Sequence, residues 1–118
     1  FILEKINQAV SGMSKDKSEI TIACLGLSFK PDIDDLRESP ALDISKQIAL
    51  MKFNKVLLVE PNINKIPNGF DVSAKLTSMK DALKSADIVV LLVDHIQFKT
   101  INLSCLLDKQ DIDTKGIW

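Results

Sequence analysis

Glycine is scarce in this sequence, four residues in 118, and no glycine-rich phosphate loop can be written with them. Both GxGxxG and GxxxxGK[ST] need glycines so that the backbone can approach a phosphate closely, and Gly26 stands alone after its apolar run. Histidine is nearly absent, with His95 the single one, and a lone histidine after a strand is more often a hydrogen-bonded loop residue than a catalyst. The two cysteines, Cys24 and Cys105, lie far apart among apolar residues, with no CxxC or Cys/His spacing that could hold a metal. Neither has a neighbouring histidine or helix start to lower its pKa, so both read as reduced packing residues and not as nucleophiles. An excess of one charge is also missing: the formal net charge of -1 leaves no basic footprint for nucleic acid. No apolar run approaches the roughly 20 residues of a membrane span, and no basic region, apolar stretch and cleavage site opens the chain. A cytoplasmic protein without membrane or nucleic-acid partners is expected.

What is present is the balance of a soluble globular domain, 46% apolar and 26% charged residues. Phe1 to Met13 carries apolar residues at helical spacing, and Ser11, Gly12 and Ser14 end the pattern. Ile20 to Leu27, Lys55 to Glu60 and Ile88 to Val93 are short, almost wholly apolar runs that fit strands buried on both faces. Ser39 followed by Pro40 reads as the cap and first residue of a helix, with Leu42, Ile44, Ile48 and Met51 on one side. Residues 62–73 read as a loop, Ser78 to Ala86 as a helix, Ile96 to Leu107 as one or two short helices, and Asp111 to Asp113 as a short edge strand. Strands apolar throughout and alternating with helices predict an α/β fold, a doubly wound, mostly parallel sheet with helices on both faces, Rossmann-like without the glycine fingerprint. Ligands then bind beyond the carboxyl ends of the strands, in the loops after Leu27, Val59, Val93 and Asp113. Phe1 opens in mid-helix pattern and Trp118 follows directly on Gly-Ile, so the chain is expected to continue into something larger at both ends.

The densest of those loops is FKPDIDDLRE, residues 29–38, with two cations and four anions between a strand and a helix start. One reading is a solvated loop whose charges pair with one another, each exposed pair contributing roughly 0–1 kcal/mol. The other is a phosphate site made from side chains. Lys30 lies just past the strand and Arg37 just before the helix N-terminus, where the helix dipole adds to the attraction for an anion. Arg37 would supply a planar fork and Lys30 a point charge, with the aspartates holding them in place. Glu60 closes the second strand, where a nucleotide-binding fold often carries an acid for a ribose. VLLVEPN also resembles the first strand and acidic corner of a response-regulator receiver domain, a non-enzymatic alternative. That chemistry needs an acidic pair after the first strand, an aspartate after the third and a lysine near the end, and the charged loop at 28–38 has no place in it.

The run GLSFKPDIDDLRESPALDI, Gly26 to Ile44, resembles the signature of the UDP-glucose/GDP-mannose dehydrogenase family in its C-terminal UDP-binding domain. VLLVEPN, SADIVVLLVDHIQFK and DTKGIW follow in the family's order, and the last two are most similar to the branch that oxidises UDP-N-acetylmannosamine, with UDP-glucose or UDP-N-acetylglucosamine as alternatives. The resemblance implies an NAD-dependent 6-dehydrogenase that oxidises a sugar C6 alcohol to a carboxylate for surface polysaccharide, acting as a homodimer. Its catalytic cysteine belongs to a Gly-Gly-Pro-Cys type segment that this sequence does not contain, so the chain alone is expected to be inactive. NAD would be bound mainly by a missing N-terminal domain. Residues 1–14 would end a linker helix from a missing central region, and residues 15–118 would form the UDP-sugar-binding domain. By position, Phe29 and Lys30 match the pair that contacts the UDP-sugar, and Arg37 matches the arginine that reaches NAD. Lys115 stands where relatives often have a substrate-contacting arginine, keeping the charge and losing the fork.

Overall fold

Residues 2–28, 39–61, 63–116 and 118 are described by the computed structural model. The three apolar runs become the centre of the sheet, because a strand flanked on both sides and covered on both faces has no use for polar side chains. They are β1 (Thr21–Leu25), β2 (Lys55–Val59) and β4 (Ile88–Leu91), and the edges are β3 (Ala74–Leu76) and β5 (Gln110–Asp113). All neighbours pair in parallel, in the order β3-β2-β1-β4-β5. A doubly wound receiver has the order 2-1-3-4-5; here β1 sits between β2 and β4, which separates the fold from the receiver alternative.

Side chains alternate along the strands and build a core on each face. Ile22, Cys24, Val56, Leu58 and Val90 pack with Ile6 of α1 (Ile2–Ser11) and Ile48 of α2 (Pro40–Ala49). Ala23, Leu25, Leu57, Val59 and Leu91 pack with Ala82 of α3 (Met79–Ser85) and Phe98 of α4 (Ile96–Lys99). Helices therefore cover both faces. The expected helices at 1–13, 40–51, 78–86 and 96–107 are all present, the last as α4 followed by a 3₁₀ turn, Leu103–Leu106.

Three features differ from the sequence reading. β3 adds a short parallel edge beside β2, pairing Val56 with Ala74 and Leu58 with Leu76; three residues with an exposed Lys75 in the middle make no hydrophobic run to detect. Cys105, expected in the core, is exposed, whereas Cys24 is buried. The 3₁₀ turn directs Leu106 inward and leaves Cys105 on its outer side. The connection from Lys15 to Glu19, read as a polar link, contains one 3₁₀ turn at Lys17–Glu19.

Candidate functional site

The chain leaves β1 and turns one way to β2 and, later, the other way to β4. In an open parallel sheet such a reversal opens a crevice at the carboxyl ends of the two strands, where ligands bind. A cleft of about 100 Å³ lies there, lined by Ser28 after β1, Leu92, Val93 and Asp94 after β4, Lys115 after β5, and Pro40 and Ala41 at the start of α2. Three of the four loops singled out in the sequence thus meet. A larger hollow of about 660 Å³ runs along α3 beside Leu83, Ile101 and Leu107. It does not sit at the strand ends; a hollow of about 460 Å³ does, beyond β2 and β3 beside Glu60, Pro61 and Thr77, but it lies away from the β1/β4 reversal.

Each wall is fixed locally. Gly26 adopts φ +98°, and a Cβ on it would stand 2.6 Å from Val93 Cβ and 2.9 Å from Val93 N. The exit of β1 can approach the exit of β4 only because residue 26 lacks a side chain. Leu92 N and Val93 N then donate to Leu25 O at 2.9 and 3.3 Å. Ser39 caps α2 by accepting from Leu42 N at 3.2 Å, and its hydroxyl donates to Leu27 O at 2.6 Å. The two ends of the charged loop are therefore tied together at the cleft. At the far wall Asp113 accepts from Lys115 N at 2.9 Å, Gly116 N at 2.7 Å and Trp118 N at 2.8 Å. That turn carries the exposed Lys115 to the cleft.

Glu60 closes β2 but faces inward, 3% exposed. Its Oε1 accepts from Leu27 N at 2.9 Å and Ser28 N at 3.1 Å. His95 Nε2 lies 2.8 Å from the same oxygen and 3.2 Å from Ser28 Oγ. Because Oε1 already serves two N–H donors, Nε2 is the donor to it. Through Oε1, Glu60 joins the loops after β1, β2 and β4. The sequence offers Glu60 for a ribose and His95 as a loop residue, and nothing in their spacing shows that the two meet.

Phe29, Lys30 and Arg37 lie outside the described residues. Lys115 is described and lines the cleft with Ser28. Cys24 is fully enclosed, and burial pushes its thiol up to about 12 against the opposing effect of the Ser45 hydroxyl. Such a thiol carries almost no thiolate at neutral pH, in accord with its reading as a packing residue. Among the described residues no cluster of His, Cys, Asp or Glu could hold a metal ion, and no helix is long and apolar enough to cross a membrane.

The family profile for the UDP-glucose/GDP-mannose dehydrogenases, UDP binding domain, matches residues 23–118. The chain belongs to this family. It is 42% identical over its whole length to the UDP-N-acetyl-D-mannosamine dehydrogenase of Escherichia coli K12, of which it covers 29%. It is likewise 42% identical to the NDP-N-acetyl-D-galactosaminuronic acid dehydrogenase of Ralstonia nicotianae, covering 27% of that protein. Among solved structures, UDP-D-ManNAc dehydrogenase from Pyrococcus horikoshii superposes with a TM-score of 0.76 at 25% identity, over 98% of this chain and 26% of that one. The chain thus spans less than a third of the length of these relatives.

As a UDP-binding domain of the family, the cleft has the parts that one phosphate group requires: a lysine, a hydroxyl and a helix N-terminus. Its volume is below the roughly 300–1,000 Å³ of a pocket that encloses a whole ligand. It therefore suits a phosphate rather than a complete nucleotide. Asp94 brings a carboxylate to the same place, so a bound phosphate would share Lys115 with it. NAD fits the described residues poorly. The missing Cβ of Gly26 serves the contact with Val93, and Glu60 is committed to the main chain of Leu27 and Ser28. The two devices by which a Rossmann fold holds a dinucleotide are both in other use.

Proposed function

We propose that this chain is the UDP-binding part of an NAD-dependent UDP-sugar 6-dehydrogenase that oxidises UDP-N-acetyl-D-mannosamine to UDP-N-acetyl-D-mannosaminuronate for surface polysaccharide. Residues 1–14 form the end of a linker helix and residues 15–118 the binding domain. The complete enzyme is a cytoplasmic homodimer whose other domains hold most of NAD and the catalytic cysteine. The observation that carries this reading is the cleft at the β1/β4 reversal, with Lys115, Ser28 and the start of α2 converging on it, in a chain 42% identical throughout to UDP-N-acetyl-D-mannosamine dehydrogenases.

In this division the domain supplies charge and position, and the chemistry happens elsewhere. Phe29 and Lys30 contact the UDP-sugar, and Lys115 adds a second cation at the cleft. Arg37 reaches across to NAD. Lys30 follows Ser28 by two residues and Arg37 precedes Ser39 by two. The residues that bracket that segment, Leu27 and Ser39, are bonded to each other at the cleft. The equal identity to an N-acetylgalactosaminuronic acid dehydrogenase favours a second reading, in which the sugar is an N-acetylgalactosamine.

Steady-state kinetics on the complete enzyme test both points. Lys30→Ala should raise KM for the UDP-sugar about tenfold or more, the scale of one charge-assisted contact. Arg37→Ala should act mainly on KM for NAD. Unchanged KM and turnover in both variants would sink the assignment. A panel of UDP-sugars should give the highest kcat/KM with UDP-N-acetylmannosamine, and a preference for UDP-N-acetylgalactosamine would install the second reading.

A further inference from the structure

Glu60, His95 and Ser28 are buried polar residues, 3%, 0% and 1% exposed, on three loops that all lie at the carboxyl edge of the sheet. Burying a carboxylate is costly unless several donors satisfy it. Here the donors include two consecutive backbone N–H groups of the β1 exit and one imidazole nitrogen. A carboxylate needed only to end β2 would face solvent, as strand-terminal acids commonly do. This one is instead placed behind the cleft, bonded to the main chain of the residue that lines it. The His95 ring is fixed as well, with its centroid 5.5 Å from that of Phe98, which is itself fully buried in the second core.

We infer that the Glu60–His95 pair is a positioning device for the phosphate cleft: it sets the main chain of Leu27 and Ser28, and through Ser28 the wall that faces Lys115. This rests on the proposed reading of the cleft as a UDP site. The pair does not touch the phosphate. It acts through Ser28, whose N–H it bonds and whose hydroxyl it approaches to 3.2 Å. Preorganised donors lower the cost of binding, and a wall displaced by about 1 Å loses much of that advantage. His95 also ties the β4 exit to the β2 exit, so Asp94, its neighbour on the cleft wall, depends on the same tie.

The test uses the complete enzyme and UDP as the probe, with calorimetry and kinetics on each variant. His95→Leu removes the donor and keeps an apolar side chain against Phe98. His95→Gln returns an N–H near the position of Nε2. Glu60→Leu and Glu60→Gln form the matching pair, the amide keeping an acceptor oxygen for the two backbone N–H groups. The leucine variants should bind UDP tenfold or more weakly and show KM for the UDP-sugar raised by the same factor, with kcat and KM for NAD within twofold. The glutamine variants should recover to within about threefold of the parent. A merely structural role would lower the yield of active enzyme and leave KM unchanged. Should the leucine variants not fold, Glu60→Asp retracts the carboxylate by one methylene, and a KM raised threefold or more is expected. Parent-like UDP affinity in folded leucine or aspartate variants overturns the inference. If the parent enzyme itself shows no UDP binding, the failure lies with the proposed function and not with the positioning role.

Discussion

Asp87 ends the turn between α3 and β4, accepting from Thr21 N at 3.0 Å and from Lys15 Nζ at 3.0 Å. Partial burial by itself would raise its carboxyl, but the Thr21 N–H, the Lys15 ammonium and the Lys109 charge outweigh that, and the net position is below the ordinary 3.8. A carboxyl depressed in the folded state contributes stability that is present above its unfolded pKa and is lost as pH falls through the folded value. Lys15 is half exposed, so solvent screens its share and the backbone bond carries the more durable part. Thermal unfolding of the parent should lose a component between about pH 5 and pH 2 that Asp87→Asn lacks; the variant should start lower at neutral pH, and the two curves should converge in acid. Curves that stay parallel would show that Asp87 is not linked to folding. A single residue of this kind is only partly legible in a sequence. Asp87 precedes a strand, which suggests a turn, yet its partner Thr21 is 66 residues away. The same limit hid Glu60: donors to it at Leu27, Ser28 and His95 stand 32 to 35 residues away, and spacing along the chain carries no trace of them.

At the scale of elements the sequence was most legible where local chemistry decides. Ser39-Pro40 announces α2, and the hydroxyl does accept from Leu42 N; the three apolar runs announce the central strands. It was least legible where an element exists only through its neighbour, as with β3, which is held by pairing to β2. The junction between β1 and the cleft belongs to the second kind. Gly26 is too solitary to form a glycine-rich phosphate loop, and its missing side chain instead admits Val93 to the β1 exit. Gly26→Ala combines a left-handed φ with a backbone and side-chain clash, and should cost about 3 kcal/mol. Gly116→Ala is the control: its φ is +70° but nothing lies within 4 Å of the added methyl, so only the conformational cost of about 1 kcal/mol remains. Ser39→Ala should cost about 2 kcal/mol, since it loses both the cap and the buried bond to Leu27 O. Thermal midpoints should fall furthest for Gly26→Ala and least for Gly116→Ala. Equal shifts for the two glycine variants would mean that the β1/β4 approach is easily relaxed.

For the whole molecule, strand identities alone do not determine how strands are ordered. The same run of helices and strands could be wound as 2-1-3-4-5 or as 3-2-1-4-5, and only the second puts β1 beside β4 and opens the crevice that receives Ser28, Lys115 and α2 together. The sequence predicts a doubly wound, mostly parallel sheet, but neither composition nor periodicity states the order of its strands, which depends on pairings between distant segments. The resulting body has a Cα radius of gyration of 12.9 Å, close to the roughly 13 Å of a compact domain of this length, with two cores of its own. Binding a nucleotide is a different matter. A cleft of about 100 Å³ can enclose a phosphate but not a whole nucleotide; in the proposed reading the other domains supply further contacts, and each 1.4 kcal/mol of missing contact weakens binding tenfold. The 118-residue chain on its own should therefore unfold in one cooperative transition, bind UDP with a Kd on the order of millimolar, and form no NADH from UDP-N-acetylmannosamine and NAD. Cys24, with its thiol pushed to about 12, and Cys105, exposed on the 3₁₀ turn away from the residues that line the cleft, give it no nucleophile. Calorimetry with UDP and absorbance at the NADH band read both outcomes. Sub-micromolar UDP binding by the isolated chain would show that the nucleotide site is complete within it, and NADH formation would show that the chemistry is too; either result would remove the division of labour on which the proposed function stands.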